Sequence, residues 1–524
     1  MEVANECNVK TRSTACNTSW SEMVQLHIAV ADAVRNAHAQ EPSRPVPLVC
    51  GPTAAFPQYE SNNFTDWRES GMFGQFVTAT AGHIDCLSIH FYDTFNPEPD
   101  TQETDPFSSN FSSHSGSNLV AELDLQESAT AKLSADGLTP LPLLVSEYGS
   151  GFEGTPRYTP GHDWWVLRGV TAKLMEFLRR PDRILKALPF ITGKATWNAA
   201  SRANNASHSY PFLLWRTLTP SGADPNNSSQ WLFVQTYLHL WFNMMQDLDG
   251  DRVAVVSDSA DVQAHAFYDG SRLQIVLNHL TFAEGTNRTI QLKWPSDFRP
   301  QASKTSELKR MFWSIEDGNP LMTTQALVQP PTQVHLGPSE LVVLTVPLTS
   351  GEPTHQIDER TYYSEILIQP MAATRSWASP YTFSMVGYKG RGAEAYPAGT
   401  HGVTVGVRMV SMRVRVGFGG SGSSTEDAIA AFYHTAAALS IEVDGVPCVV
   451  DYVRQIAGRL HVDSKDFTYF TSIEVPIPID QLDQDAMERR VLVWSEAAHR
   501  ATVSTVVLVV ESDVTGLEAP VTLR

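Results

Sequence analysis

Leu143-Leu144-Val145-Ser146-Glu147-Tyr148-Gly149-Ser150-Gly151-Phe152 is the stretch that decides the fold class. Leu143–Ser146 is a short apolar run of the length a buried strand needs, and it ends on a glutamate. The same pattern recurs on both sides of it. Upstream lie Ile84–Phe91, Val46–Cys50 (stopped by Gly51-Pro52) and Glu2-Val3-Ala4, the last running into Asn5-Glu6. Downstream lies Ala187–Trp197. Helical segments separate these runs. One is expected over Ser19–Ala39, opened by a Ser19/Glu22 capping box with Met23, Leu26, Val30 and Val34 on its apolar face. Two more are expected over Trp164–Leu178 and Trp231–Met245. Strands alternating with helices imply βα units and a parallel sheet. Two long polar stretches, 95–118 and 199–229, follow strands and so belong to the sheet's C-terminal rim, where a (β/α)8 barrel carries its active site.

From residue 251 onward the pattern changes to strands and turns. Val262–Tyr268 and Leu273–Asn278 flank Asp269-Gly270, a hairpin signature. A polar stretch, Ser350–Arg360, precedes a second strand-rich region that includes Val414/Val416, Leu439–Val443 and Val503–Val510. The expected fold class is α/β plus all-β. Residues 1–250 form part of a (β/α)8 barrel, 251–349 a β-sandwich packed on it, and 361–524 a separate C-terminal β-sandwich.

Composition narrows the function. The net charge of −19 over 524 residues argues against a nucleic-acid partner and gives no support for binding an anionic membrane surface. No apolar run reaches the ~18 residues of a membrane span. The five cysteines, Cys7, Cys16, Cys50, Cys86 and Cys448, are odd in number, show no metal-ligand spacing and suggest no disulfide framework. No metal and no cofactor is expected.

The chemistry rests on two glutamates. Glu6 and Glu147 each follow a strand, with the strand ends at Cys50 and Phe91 between them, so both sit on one rim. Two carboxyls facing one another across a cleft are what a glycosidase needs, one as proton donor and one as nucleophile. Alternation puts His90 and Tyr92 on one face of their strand, within reach of the nucleophile or the sugar. Trp197 and Tyr148, at strand ends, are candidate sugar contacts, as is Asn5 beside Glu6.

These residues resemble the large clan of retaining (β/α)8 glycosidases. There the acid/base, preceded by Asn, follows strand 4 and the nucleophile follows strand 7. The segments EVANE (2–6), HIDCLSIHFYDTF (83–95), LLVSEYGSGF (143–152) and KATWNAASRANN (194–205) are similar to glycoside hydrolase family 86, the β-agarases and β-porphyranases. The resemblance implies a retaining endo-hydrolase of red-algal galactans, secreted in its full-length form, with Glu6 as acid/base and Glu147 as nucleophile. Other readings are another hydrolase of the clan, of β-xylosidase or glucuronidase type, and a non-catalytic carbohydrate-binding fragment. The resemblance also implies that Glu6 closes strand 4. Strands 1–3 and a signal peptide would then lie upstream, and residues 1–524 alone are expected to be inactive and poorly soluble. Agarose and porphyran would be told apart by Arg or Lys side chains that accept a sulfate, which the sequence alone does not place.

Overall fold

The structure is a computed structural model. It describes the chain outside 8–17, 56–63, 96–110, 113–115, 134–138, 153–157, 195–211, 219–227, 282–285, 295–299, 350–356, 365–367, 386–407, 451–467, 498–500, 514–520 and some single positions.

Helix α1 (Trp20–Gln40) opens on the expected capping box: the Glu22 amide donates to Ser19 Oγ at 3.2 Å and the Ser19 amide donates to the Glu22 carboxylate at 2.7 Å. Its buried stripe is Val24, His27 and Ala31, not the expected Met23, Leu26, Val30 and Val34; Leu26 is 43% exposed. The stripe is set by Trp20, whose indole packs on Phe73 and Phe76, so the face repeats at i+4, i+7 and i+11 from that anchor. His27 lies against Gly51, where a Cβ would stand 2.3 Å from the imidazole. Strand β1 is therefore Cys50–Ala54 and runs through Gly51-Pro52 instead of stopping there. Val46 and Leu48 of the expected strand are half exposed.

Next come α2 (Met72–Ala79), β2 (Cys86–Phe95), β3 (Phe111–Ser112), α3 (Ser117–Leu133), β4 (Leu143–Phe152), α4 (Pro160–Phe177) and β5 (Ile184–Pro189). Strands β1, β2, β4 and β5 are neighbours in that order and all parallel. Glu2 adds a parallel bridge to Cys50 outside β1, and Thr192 bridges in parallel to Leu213 beyond β5. Cys50 and Cys86 are register partners and are joined by a disulfide, where the sequence suggested no disulfide framework. Their separation of 36 residues carries no signal in sequence; a parallel crossover is what brings them side by side.

The expected long helix over Trp231–Met245 is instead a hairpin arm and a short helix. Strands β6 (Trp215–Leu218) and β7 (Leu232–Gln235) pair antiparallel, and α5 spans His239–Met245. An apolar run such as Leu232-Phe233-Val234 fits either period, and pairing with β6 decides for a strand.

Strands β8 (Asp251–Val253), β9 (Val255–Ser257), β10 (Val262–Tyr268), β11 (Arg272–His279), β12 (Arg288–Gln291), β13 (Ser306–Ser314), β14 (Asn319–Leu327), β15 (Gln333–Leu336) and β16 (Leu341–Pro347) follow. Six of them make an antiparallel sheet in the order β14-β13-β16-β11-β10-β8, and β12 pairs with β15. The Asp269-Gly270 turn forms as expected: Gly270 takes φ +88°, and Asp269 Oδ1 accepts from the amides of Ser271 and Arg272 at 2.9 and 2.8 Å. The sheet lies on α4, where Gln263 Nε2 donates to Ala172 O (3.0 Å) and Glu176 Oε1 (2.7 Å).

The remaining elements are β17 (Ile357–Tyr363), β18 (Gln369–Pro370), β19 (Tyr381–Ser384), β20 (Arg408–Ser421), α6 (Thr425–Ala437), β21 (Leu439–Val443), β22 (Val446–Cys448), β23 (Thr468–Ile477), β24 (Glu488–Ser495), β25 (Ala501–Asp513) and β26 (Val521–Leu523). Two sheets, β17-β25-β20-β23 and β19-β24-β21-β22, enclose a core that includes Phe383, Val414, Val416, Ile441, Ile473 and Leu508. This part was expected to stand apart behind a polar linker. Instead β17 begins inside that stretch, at Ile357, and the first sheet is docked on α3. Asp124 of α3 accepts from Arg415 Nε and Nη2 at 2.9 and 2.7 Å and from Arg180 Nη2 at 2.9 Å, all three residues being buried. Strand β26 also returns to pair with β9.

Candidate active site

The parallel sheet sets the site. His90 and Tyr92 lie on the face of β2 opposite Phe91, whose ring packs on Phe177 of α4. In β4 the register with β2 runs Ile89↔Val145 and then His90↔Glu147, so Ser146 is an extra residue between the two pairs. Such a bulge re-aims the side chain after it, a device common beside active sites. Glu147 is thereby turned to the side of His90 and Tyr92. Tyr92 Oη donates to Glu147 Oε2 at 2.6 Å. His90 Nδ1 lies 3.3 Å from Glu147 Oε2 and 3.7 Å from Glu6 Oε1. Glu6 reaches the group from the segment beside β1, with its backbone in the left-handed region at φ +53°. Its carboxyl and that of Glu147 stay partly exposed (30% and 22%), while the His90 side chain is fully buried. One side is therefore open to a ligand and the other fixed by packing.

One ligand atom each from Glu6, His90 and Glu147 lie within 4.8 Å of one another, close enough to share a cation. The same spacing lets one carboxyl protonate and the other attack a single bond between them.

Around the pair stands an aromatic wall that sequence reasoning missed. The Tyr92 ring is 6.0 Å from Phe190 and 5.8 Å from Phe212, and those two are 5.2 Å apart. Gly149 lies against it, where a Cβ would stand in van der Waals contact with both Tyr92 and Phe212 at 3.4 Å. Phe190, directly after an apolar strand, had a positional signal; Phe212 had none.

Of the expected residues, the structure brings Glu6, His90, Tyr92 and Glu147 together. Asn5 is exposed beside Glu6. Tyr148 is a correction to the expected sugar contact. It is fully buried on the helix side of the sheet, its ring 5.1 Å from Phe177, and burial raises its hydroxyl pKa. As the residue next to Glu147 in an extended strand, it points to the opposite face. Trp197 lies outside the described residues. Farther along the same side, Arg216 lies over the Tyr158 ring at 4.1 Å. Tyr158 Oη donates to Asp163 at 2.5 Å, and burial pushes the Asp163 carboxyl up to about 7 against that bond, the Tyr237 amide and Arg216.

The family profile described as "Porphyranase beta-sandwich domain 1" matches residues 261–369. Beta-porphyranase A of Phocaeicola plebeius is 26% identical over 338 residues, covering 64% of this chain and 42% of the relative. A beta-agarase of Pseudoalteromonas atlantica is 28% identical over 316 residues, covering 59% and 54%. A β-porphyranase of glycoside hydrolase family 86 from the gut bacterium Bacteroides plebeius has a solved structure that superposes with TM-score 0.73. It is 20% identical and covers 97% of this chain and 77% of that one. The chain is similar in sequence to a β-porphyranase and a β-agarase, and in fold to a family 86 β-porphyranase. The chain spans about half of the length of those curated relatives, 42% and 54%. The structural match shows that its fold extends beyond the profile, over the parallel sheet that carries Glu6 and Glu147 and over the C-terminal sheets. Among the described residues, no helix is long and apolar enough to cross a membrane.

Proposed function

We propose that the protein is a retaining endo-glycoside hydrolase that cleaves β-galactosidic bonds of red-algal galactans, with Glu147 as nucleophile and Glu6 as acid/base. The observation that carries this is the group Glu6, His90, Glu147 and Tyr92. One oxygen of each carboxyl lies within 4.8 Å of the other, a close approach that supports the ~5–5.5 Å carboxyl spacing of retaining enzymes. Glu6 gives its proton to the departing oxygen while Glu147 Oε attacks the anomeric carbon, forming a glycosyl ester. Glu6, now a carboxylate, then takes a proton from the water that releases the sugar. The Tyr92 hydroxyl holds the Glu147 carboxylate in its attacking orientation. Asn5 and Trp197 are proposed sugar contacts. The in-order parallel strands support placing the chain's barrel portion at strands 4–8, with 251–349 and 361–524 as its two β-sandwich units. The names of the relatives support a galactan substrate, and the Cys50–Cys86 disulfide fits an oxidising, extracellular compartment.

The test is chemical rescue. On an aryl β-glycoside of a galactan oligosaccharide, Glu147→Gln removes turnover. Glu6→Ala loses turnover of the polymer, but azide restores release of the aryl group and yields a β-glycosyl azide. Azide rescue of Glu147→Gln in place of Glu6→Ala would reverse the roles, and an α-azide would refute them.

A further inference from the structure

The hairpin β6/β7 presents a feature that the catalytic pair does not use. It leaves the rim directly beyond the aromatic wall. The Phe190 amide donates to Tyr148 O at 2.8 Å, Thr192 bridges Leu213, and the Trp215 amide donates to Gly193 O at 3.1 Å. Lys194 is thus pinned next to Trp215. It stands four residues past Phe190, about 13 Å at the ~3.3 Å rise of an extended chain, and Phe190 packs on the tyrosine that holds Glu147. Its ammonium lies 4.3 Å from the Phe233 ring and 5.9 Å from the Trp215 ring. Thr217 and Phe233 are opposed in the hairpin, so Trp215, two residues from Thr217, shares their face. Lys194 is exposed, and Trp215 keeps 39% of its surface. Among the described residues, no carboxylate pairs with Lys194, although the chain carries a net charge of −19. The cation on the other face, Arg216, is already set over Tyr158 beside Asp163.

A lysine set between an exposed indole and a half-buried phenyl ring, on the rim of a cleft, has the form of a receptor: a flat apolar surface for a sugar ring and a positive charge beside it. Building on the galactan reading above, we propose that Lys194, Trp215 and Phe233 form a subsite for a sugar ring bearing an anionic substituent, a sulfate half-ester or a carboxylate, more than one ring away from the bond that is cleaved. The indole stacks on the sugar face, and the ammonium pairs with the anion. The protein is then selective for charged galactan over neutral agarose through a group distant from the chemistry.

Binding, not turnover, tests this, so the answer does not depend on the catalytic assignment. Calorimetry uses the Glu147→Gln protein, with and without Lys194→Met, against three oligosaccharides: a sulfated galactan, the same material desulfated, and a galactan carrying carboxylate groups. Lys194→Met keeps the alkyl stem over the rings and removes the charge. The expected result is about fivefold weaker binding of an anionic oligosaccharide, the upper range for an exposed ion pair, with no change for the desulfated one. Whichever anionic arm responds names the substituent. Added salt should weaken that arm in the parent and barely affect the Lys194→Met protein. Trp215→Ala should weaken all three arms alike. Equal affinities with and without the Lys194 charge, or equal losses on charged and desulfated material, would overturn the subsite. A protein that binds as described but cleaves no galactan would refute the function proposed above and leave the subsite standing.

Discussion

Tyr92 is the residue on which the geometry of the nucleophile depends most directly. Its hydroxyl donates to Glu147 at 2.6 Å, and its ring is wedged between Phe190 and Phe212. Tyr92→Phe keeps the wedge and deletes one hydrogen bond to a charged group, a loss of about 1.5–3 kcal/mol. Expressed in the transition state, that is about a tenfold to hundredfold fall in kcat, with the melting temperature little changed. A kcat within twofold of the parent would show that packing alone orients Glu147. The placement of His90 and Tyr92 on one face of their strand was legible in sequence because side chains alternate along a strand, whereas the extra Ser146 that turns Glu147 to that face was not. The same rule would have excluded Tyr148, had the strand been read through Glu147 to Phe152 instead of ending at Ser146. Phe212 and Lys194 were not legible, because their place is set by a parallel bridge and a hairpin, which no local pattern announces.

Among the elements, α3 shows where reading by hydrophobic pattern fails. Ser117–Leu133 has no clean apolar stripe, and nothing in the sequence marked it as a helix, yet it is buried nearly all round. Its acids are not a solvated face. Asp124 meets Arg180 and Arg415, and Glu127 meets Arg180, Arg183 and the Tyr363 hydroxyl, partners that come from positions 53 to 291 residues away. Asp124→Ala leaves two buried guanidinium groups without that carboxylate, which costs about 3–5 kcal/mol, far more than an exposed pair would. Urea denaturation should show a loss of this size, and a loss below about 1 kcal/mol would mean that the charge is taken over by Glu127, 3.1 Å from Arg180, and by Glu474, 4.0 Å from Arg415. The polar stretch at 350–360 pointed to a free-standing C-terminal unit, because composition reports solvation and cannot report a partner helix that is itself charged.

Across the whole molecule, both β-rich parts dock on helices of one parallel sheet, the first on α4 and the second on α3. The helices that carry those contacts flank β4, the strand that presents Glu147. This arrangement holds the rim from behind while its open side keeps Glu6 and Glu147 partly exposed. The alternation of strands and helices and the change to antiparallel sheet after residue 250 were readable from periodicity and turn chemistry. The docking was not, since it rests on side chains that meet only after folding. The most direct test of the retaining assignment is the configuration of the first product. Proton NMR during the first minutes of galactan hydrolysis should show the new reducing end as the β-anomer, with the α-anomer growing in only as mutarotation proceeds. An initial α-anomer would mean direct attack by water, and Glu147 would then be a general base, not a nucleophile.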